Sequence, residues 1–244
     1  MDRRKFVAGA LASVVAARPA FGQSPLMSEV VKQVTGVEAE IKRRRSNGSP
    51  VSANWIASSL GEGLSPRERR TAAFQLVQNV PYKLTAWKGD PDSLFSLGRG
   101  DCRHKSAALV RLMRAWTFEA RPVRVPFDWA DLPIPSEVLE PLLETRGIHD
   151  SVEVKIDNAF VLVDPTWDPG LALAGFPVLA AWDGKTPTLP ITSKANIIVR
   201  PGDLKAGTDL FAHFGIKWPQ RERTLAFNRA FNAWTDEVRA RAKS

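Results

Sequence analysis

One side chain concentrates the chemistry of this sequence: Cys102 is the only cysteine among 244 residues. It follows Gly98-Arg99-Gly100-Asp101 and precedes Ala108, Leu109, Leu112 and Met113, whose spacing predicts a helix with one apolar face. Gly100 permits a tight turn and Asp101 is a good N-cap, so Cys102 should fall in the first helical turn. Unpaired amide hydrogens and the positive end of the helix dipole meet there, and both favour a thiolate. The same amides can hold an oxyanion beside an attacked carbonyl. The plain alternative is a small buried residue sealing the helix against the core, the usual fate of a free cysteine. Its neighbours here, Asp101 and Arg103, are charged, which favours the reactive reading.

A nucleophilic thiol needs a base, and the base needs an orienting group. The sequence has three histidines. His104 is two helical positions from Cys102, about 200° around the axis, and cannot readily face the sulfur. His213 sits among aromatics in Phe211-Ala212-His213-Phe214 and reads as a packed or surface residue. His149 precedes a segment that alternates Val152, Val154 and Ile156 with polar residues, turns at Asp157-Asn158 and returns through Phe160 to Val163. A two-residue turn would pair Ile156 with Ala159 and set Ser151 opposite Asp164. His149 would then share a face with Asp164 on the diagonal, where the carboxylate can fix the imidazole tautomer and favour its charged form. A register slip of one residue would part them. As metal ligands, Cys102 with His104 or His149 with Asp150 lack a second pair at zinc-like spacing, so neither metal nor cofactor is expected. No Gly-x-Ser-x-Gly elbow is present to suggest a serine hydrolase.

The elements expected to carry these groups follow an α+β order. Val30, Val34, Val37 and Ile41 predict a helix over residues 28–45. Ser65-Pro66-Arg67-Glu68 reads as a capping box with proline at the first helical position, opening a helix that stops before Pro81. The cysteine helix comes third. Residues 122–125 read as a strand and 126–141 as an irregular loop with at most one helical turn. The hairpin occupies 151–164, shorter strands are expected around 176–181 and 196–199, and a final helix spans 221–241.

Residues 1–22 read as a twin-arginine export signal: Arg3-Arg4-Lys5, an apolar run too short to span a bilayer, then Ala20-Phe21-Gly22 before Gln23. Residues 23–244 are expected to form one domain, soluble in the periplasm or otherwise exported, with no stable membrane insertion. Residues 1–22 hold four basic side chains and one acidic, so their removal lowers the formal net charge from +8 to +5. The surplus lies in clusters such as Lys42-Arg43-Arg44-Arg45, where solvated charge is the ordinary explanation, and no reading motif for nucleic acid accompanies it.

Three blocks in order resemble the transglutaminase-like superfamily of papain-fold cysteine enzymes: Gly98 through Cys102 continuing to Ala115 and Pro122-Val123; His149 opening a strand; and Val163-Asp164-Pro165-Thr166-Trp167-Asp168. Val80-Pro81-Tyr82 and Asp92-Ser93-Leu94-Phe95 resemble the segment leading into the cysteine, so the resemblance covers about residues 65–170, with 171–244 supplying C-terminal strands and a helix. It implies a papain-like core, a helical layer on an antiparallel sheet, with Cys102 as nucleophile, His149 as general acid and base, and Asp164 as the orienting carboxylate. The family usually has Gly where Thr117 stands and an aromatic where Asp150-Ser151 stand. Tyr82 and Trp87 are candidate cleft or oxyanion residues. The expected activity is cysteine-dependent acyl transfer on an amide, foremost hydrolysis of a peptide or protein, with cell-wall peptide among the substrates considered. The alternatives are protein cross-linking, a non-catalytic peptide- or wall-binding module in which Phe127 and Trp129 line the groove, and an interaction protein acting through its basic terminal helices.

Overall fold

The computed structural model of the chain describes residues 25–85, 90 and 93–242. The expected export signal at 1–22 and Trp87 lie outside the described residues. Helices α1 (Pro25–Ser46), α2 (Ala53–Gly61), α3 (Pro66–Asn79), α4 (Leu94–Leu97) and α5 (Cys102–Ala115) precede strand β1 (Ala120–Asp128) and the short α6 (Ser136–Leu139). Strands β2 (Arg146–Ile156) and β3 (Ala159–Val163) follow, then α7 (Leu210–His213) and the long α8 (Arg221–Arg241). The capping box forms as the residue types require: the Ser65 hydroxyl accepts from the Glu68 amide and the Glu68 carboxylate accepts from the Ser65 amide. Helix α2 was not foreseen, because nine residues carry too short an apolar period to stand out. Ser52 caps it, and Gly61 admits the edge of Trp116, whose indole donates to the Ala57 carbonyl at 3.0 Å. A Cβ at Gly61 would lie 2.6 Å from that indole nitrogen, so the close approach of α2 to the end of α5 requires glycine.

The three strands form an antiparallel sheet in the order β1-β2-β3. Asp157 and Asn158 both take positive φ, 49° and 69°, as a two-residue primed turn demands, and Ile156 faces Ala159. Central β2 begins at Arg146, earlier than the 151–164 hairpin suggested, and pairs with β1 from Asp128 back to Ala120. His149 therefore lies within the strand, opposite Val125, rather than ahead of it. One face of the sheet packs Val152, Val154, Ile156 and Val163 against the buried stripes of α1, α2, α3 and α5. A second apolar cluster gathers Tyr82, Val125, Trp167, Phe176, Phe227 and Phe231 where α8 closes over the molecule.

The strands expected at 176–181 and 196–199 do not form. The segment after β3 carries Pro177, Pro187, Pro190 and Pro201, which remove ladder donors, and only an isolated Arg124–Val199 bridge remains. Residues 126–141 include the end of β1, a single 3₁₀ turn at Trp129–Asp131 and α6.

Thr117, where a glycine is usual in the resembled family, stands just past the end of α5 with φ 62°. Its amide donates to the Arg114 carbonyl and the Phe118 amide to that of Met113, so the chain is held in the left-handed conformation. A β-branched residue there costs about 1–3 kcal/mol, and glycine gives back about 0.5–1 of the relief through its looser unfolded chain. Thr117 is solvent-exposed and loses no core contact on truncation. Thr117→Gly is expected to stabilise the protein by about 1 kcal/mol, raising the melting temperature by about 2–4 °C in a thermal scan.

Candidate active site

Cys102 opens α5, with Asp101 as N-cap accepting the Arg103 amide at 3.1 Å. Asp101 is tied down further: Oδ1 lies 2.8 Å from His104 Nδ1, and Oδ2 accepts the Thr85 hydroxyl. Burial alone would raise this carboxyl, but His104, Thr85 and Arg103 outweigh it and hold it at about 2. Gly100 fits because a Cβ there would come within 2.6 Å of His104 Cβ and 2.8 Å of Leu94. Its backbone bridges to Tyr82, with the Lys83 amide donating to the Gly100 carbonyl at 2.9 Å, and this brings Tyr82 beside the helix start. His104 is fully buried and committed to Asp101, away from any role toward the sulfur, while His213 is exposed on α7.

His149 on β2 and Asp164 just beyond β3 meet across the hairpin, with Nε2 2.7 Å from Asp164 Oδ2. The pairing of Val152 with Val163 fixes the register that puts them on one face. Asp164 Oδ1 accepts the Thr166 amide at 3.1 Å, and its own amide donates to Thr188 Oγ1 at 2.8 Å, so the carboxylate cannot swing away. Lys105, fully buried on α5, braces the next residue by donating to the carbonyls of Gln78 and Pro165. Burial lowers that ammonium to about 7. Asp168 accepts the Tyr82 amide and both arms of Arg239, tying α8 to the same loop. Apart from the Asp164–Thr166 contact, none of these braces carries a local sequence signature, since each joins residues distant along the chain.

With Nε2 occupied by Asp164, the other ring nitrogen of His149 is the one left for Cys102, and the two residues line the same cleft. Burial works against a charged His149, but the Asp164 carboxylate and the sulfur overcome it and raise the ring to about 10. The Asp164 carboxyl is disfavoured as an ion by burial yet brought below its ordinary value by His149 and Thr166. The sulfur differs from the expectation that the helix start would ionise it. Burial pushes the Cys102 thiol up, Asp150 and Asp101 add to that push, and the hydrogen bond and charge of His149 only partly oppose it. Desolvation thus works against the thiolate that the helix start favours.

The cleft over the sulfur is lined by Tyr82, Phe127, Trp129, His149 and Asp150 among others. Tyr82 lines this cleft with Cys102, and its phenol is raised far above its ordinary range by burial. An aromatic wall stands beside the histidine, supplied by β1 and the turn after it rather than by the residues after His149: Phe127 faces the ring at 6.1 Å and Trp129 packs on Phe127 at 4.9 Å. Gly147 leaves that wall open, for a Cβ would sit 3.3 Å from the Phe127 ring. Among the described residues no three His, Cys, Asp or Glu side chains are grouped to hold a metal ion, and no helix is long and apolar enough to cross a membrane.

Residues 55–165 match the model of the transglutaminase-like superfamily, a stretch that includes Cys102, His149 and Asp164. A solved chain described as "a Putative Cysteine Protease from Cytophaga hutchinsonii" is similar at 16% identity and a TM-score of 0.35, covering 46% of this chain and 36% of that one. Comparison with curated proteins gives no match.

Proposed function

We propose that the chain is a cysteine-dependent acyl-transfer enzyme that hydrolyses a peptide or related amide through a thioester on Cys102. The observation that carries this reading is that Cys102, at a helix start, and His149, held by Asp164 at 2.7 Å, line one cleft. In the acylation step the Cys102 thiol has lost its proton to solvent, and the thiolate beside the His149 imidazolium attacks the carbonyl carbon. The oxygen takes the negative charge, received by the Cys102 amide, a first-turn N–H that a helix cannot pair internally, and by the Tyr82 hydroxyl. The carbon–nitrogen bond then breaks as His149 gives its proton to the departing amine. In the second step the now neutral imidazole takes a proton from water, the resulting hydroxide oxygen attacks the thioester carbonyl, and thiolate and imidazolium are restored with release of the acid. Asp164 holds the ring in place and balances its charge throughout. The aromatic wall of Phe127 and Trp129 favours an apolar side chain beside the scissile bond. The basic, apolar N-terminal stretch supports delivery outside the cytoplasm, where peptide of the cell wall is one available substrate.

The test is a panel of peptide and cell-wall amides incubated with the protein, with and without a small primary amine. The expected result is a mass increase on Cys102 equal to the acyl group, discharged to acid by water. Discharge mainly to the amine would make the activity cross-linking. Absence of any acyl adduct, with binding retained in Cys102→Ser, would replace the enzyme with a binding module.

A further inference from the structure

Asp150 follows His149 on β2, and its carboxylate looks into the same cleft. Its Oδ2 lies 4.0 Å from Cys102 Sγ, at the limit of an S–H···O contact. On the other side Asp150 is gripped by Arg124, its cross-strand partner in the β1–β2 register, at 2.6 Å. The carboxylate is largely sheltered, with 15% of its side chain exposed, whereas Arg124 is 43% exposed and reaches solvent. A thiol can donate to this carboxylate, but a thiolate in the same place is repelled by it. Ionisation of the sulfur therefore turns a weak attraction into a repulsion, and the positive charge of Arg124 softens that change without removing it.

We infer that Asp150 is a positioning residue that holds Cys102 as a thiol in the cleft, with Arg124 setting the strength of that hold. The other charged or titratable groups that face the sulfur are Asp101 and Arg103 from its own helix, His149 from β2, Asp164 beyond β3 and Tyr82 from the segment after α3. Asp101 is spent on His104 and Thr85, and Asp164 on His149. Asp150 is thus the carboxylate with an oxygen turned to the sulfur and a countercharge that can be altered separately. A thiol kept protonated is also slow to oxidise, which suits a lone cysteine in a solvent-reached cleft. The inference deepens the reading of Cys102 as a nucleophile and rests on it for its purpose.

The test uses the fact that the chain has one cysteine, so alkylation of the whole protein reports on Cys102 alone. Rates with iodoacetamide are measured from pH 5 to 10 for the parent, Asp150→Asn, Arg124→Gln and the double variant, with circular dichroism to verify folding. An unscreened charge 4 Å away at an effective dielectric of about 20 would shift a midpoint by about three units, and Arg124 cancels most of that, leaving about one. Asp150→Asn is expected to lower the midpoint by about one unit, giving about tenfold more thiolate at neutral pH. Arg124→Gln should raise it, and the double variant should behave like Asp150→Asn, since Arg124 acts through Asp150. A merely structural role would not move the midpoint in opposite directions. An unchanged or raised midpoint in folded Asp150→Asn overturns the inference. If that variant does not fold, a midpoint that fails to rise in Arg124→Gln overturns it equally. Opposite shifts in a protein that turns over no amide would leave Asp150 in this role and remove the enzymatic reading instead.

Discussion

Amide turnover falls by about 10⁴-fold or more in Cys102→Ala and in His149→Ala, and the double variant is no worse than either single one. The non-additivity is the informative part. Sulfur and imidazole act as one unit in the proposed cycle, so removing the second member of a disabled pair has nothing left to remove. His149→Ala carries a second readout that needs no substrate. The hydrogen bond and charge of His149 oppose the burial that pushes the Cys102 thiol up, so losing them raises the alkylation midpoint and slows labelling at neutral pH. This is the reverse of the shift expected for Asp150→Asn, and the two variants measured together separate the groups that favour the thiolate from those that oppose it. Steady-state kinetics on any amide found active in the panel, with iodoacetamide profiles, are the measurements. Rapid labelling at neutral pH that is indifferent to His149 would break the proposed pair.

The second large effect belongs to Asp164→Asn, with an expected loss of about 10²–10⁴-fold in kcat and little change in KM. An amide in place of the carboxylate can present its NH₂ to Nε2 and stabilise the wrong tautomer, and it supplies no charge to balance the imidazolium that forms in each half of the cycle. The same variant changes how stability depends on pH. His149 is raised to about 10 from an ordinary 6.5, so its contribution is fully present below about 6.5 and fades as pH rises toward 10. Asp164 is lowered from 3.8, so its contribution is present above that value and is lost as the solution is acidified through its folded-state pKa. The parent protein should therefore lose stability between about pH 6.5 and 10, and Asp164→Asn should flatten that slope because the carboxylate that raises the ring is gone. Denaturant titrations at pH 6, 8 and 10 on both proteins decide the matter, and parallel slopes would show that the pair is not the charged one described here.

Much of the architecture was legible in the sequence because it depends on residues close along the chain. The box at Ser65 and Glu68, the cap at Asp101 and the Asp157-Asn158 turn each draw on contacts within a few positions. The alternation through Val152, Val154 and Ile156 then sets the hairpin register, and with it the face on which His149 and Asp164 stand. Helix α2 was missed because its burial comes from tertiary contacts rather than from a long periodic run. The strands expected after β3 failed where proline interrupted runs that composition alone presented as extended.

What the order of residues determined by itself is the helix start under Cys102, the hairpin under His149 and Asp164, and the α+β sequence of elements. What only the tertiary structure decided is the surroundings of the sulfur. The helix start favours a thiolate through groups within one turn, whereas the foremost opposing influence, burial by the packed cleft, arrives from elsewhere, as does the Asp150 carboxylate 48 positions away. Local backbone geometry follows from short-range sterics and hydrogen bonds, but the free energy of a charge depends on everything within several ångströms in space, and those neighbours are chosen by the fold.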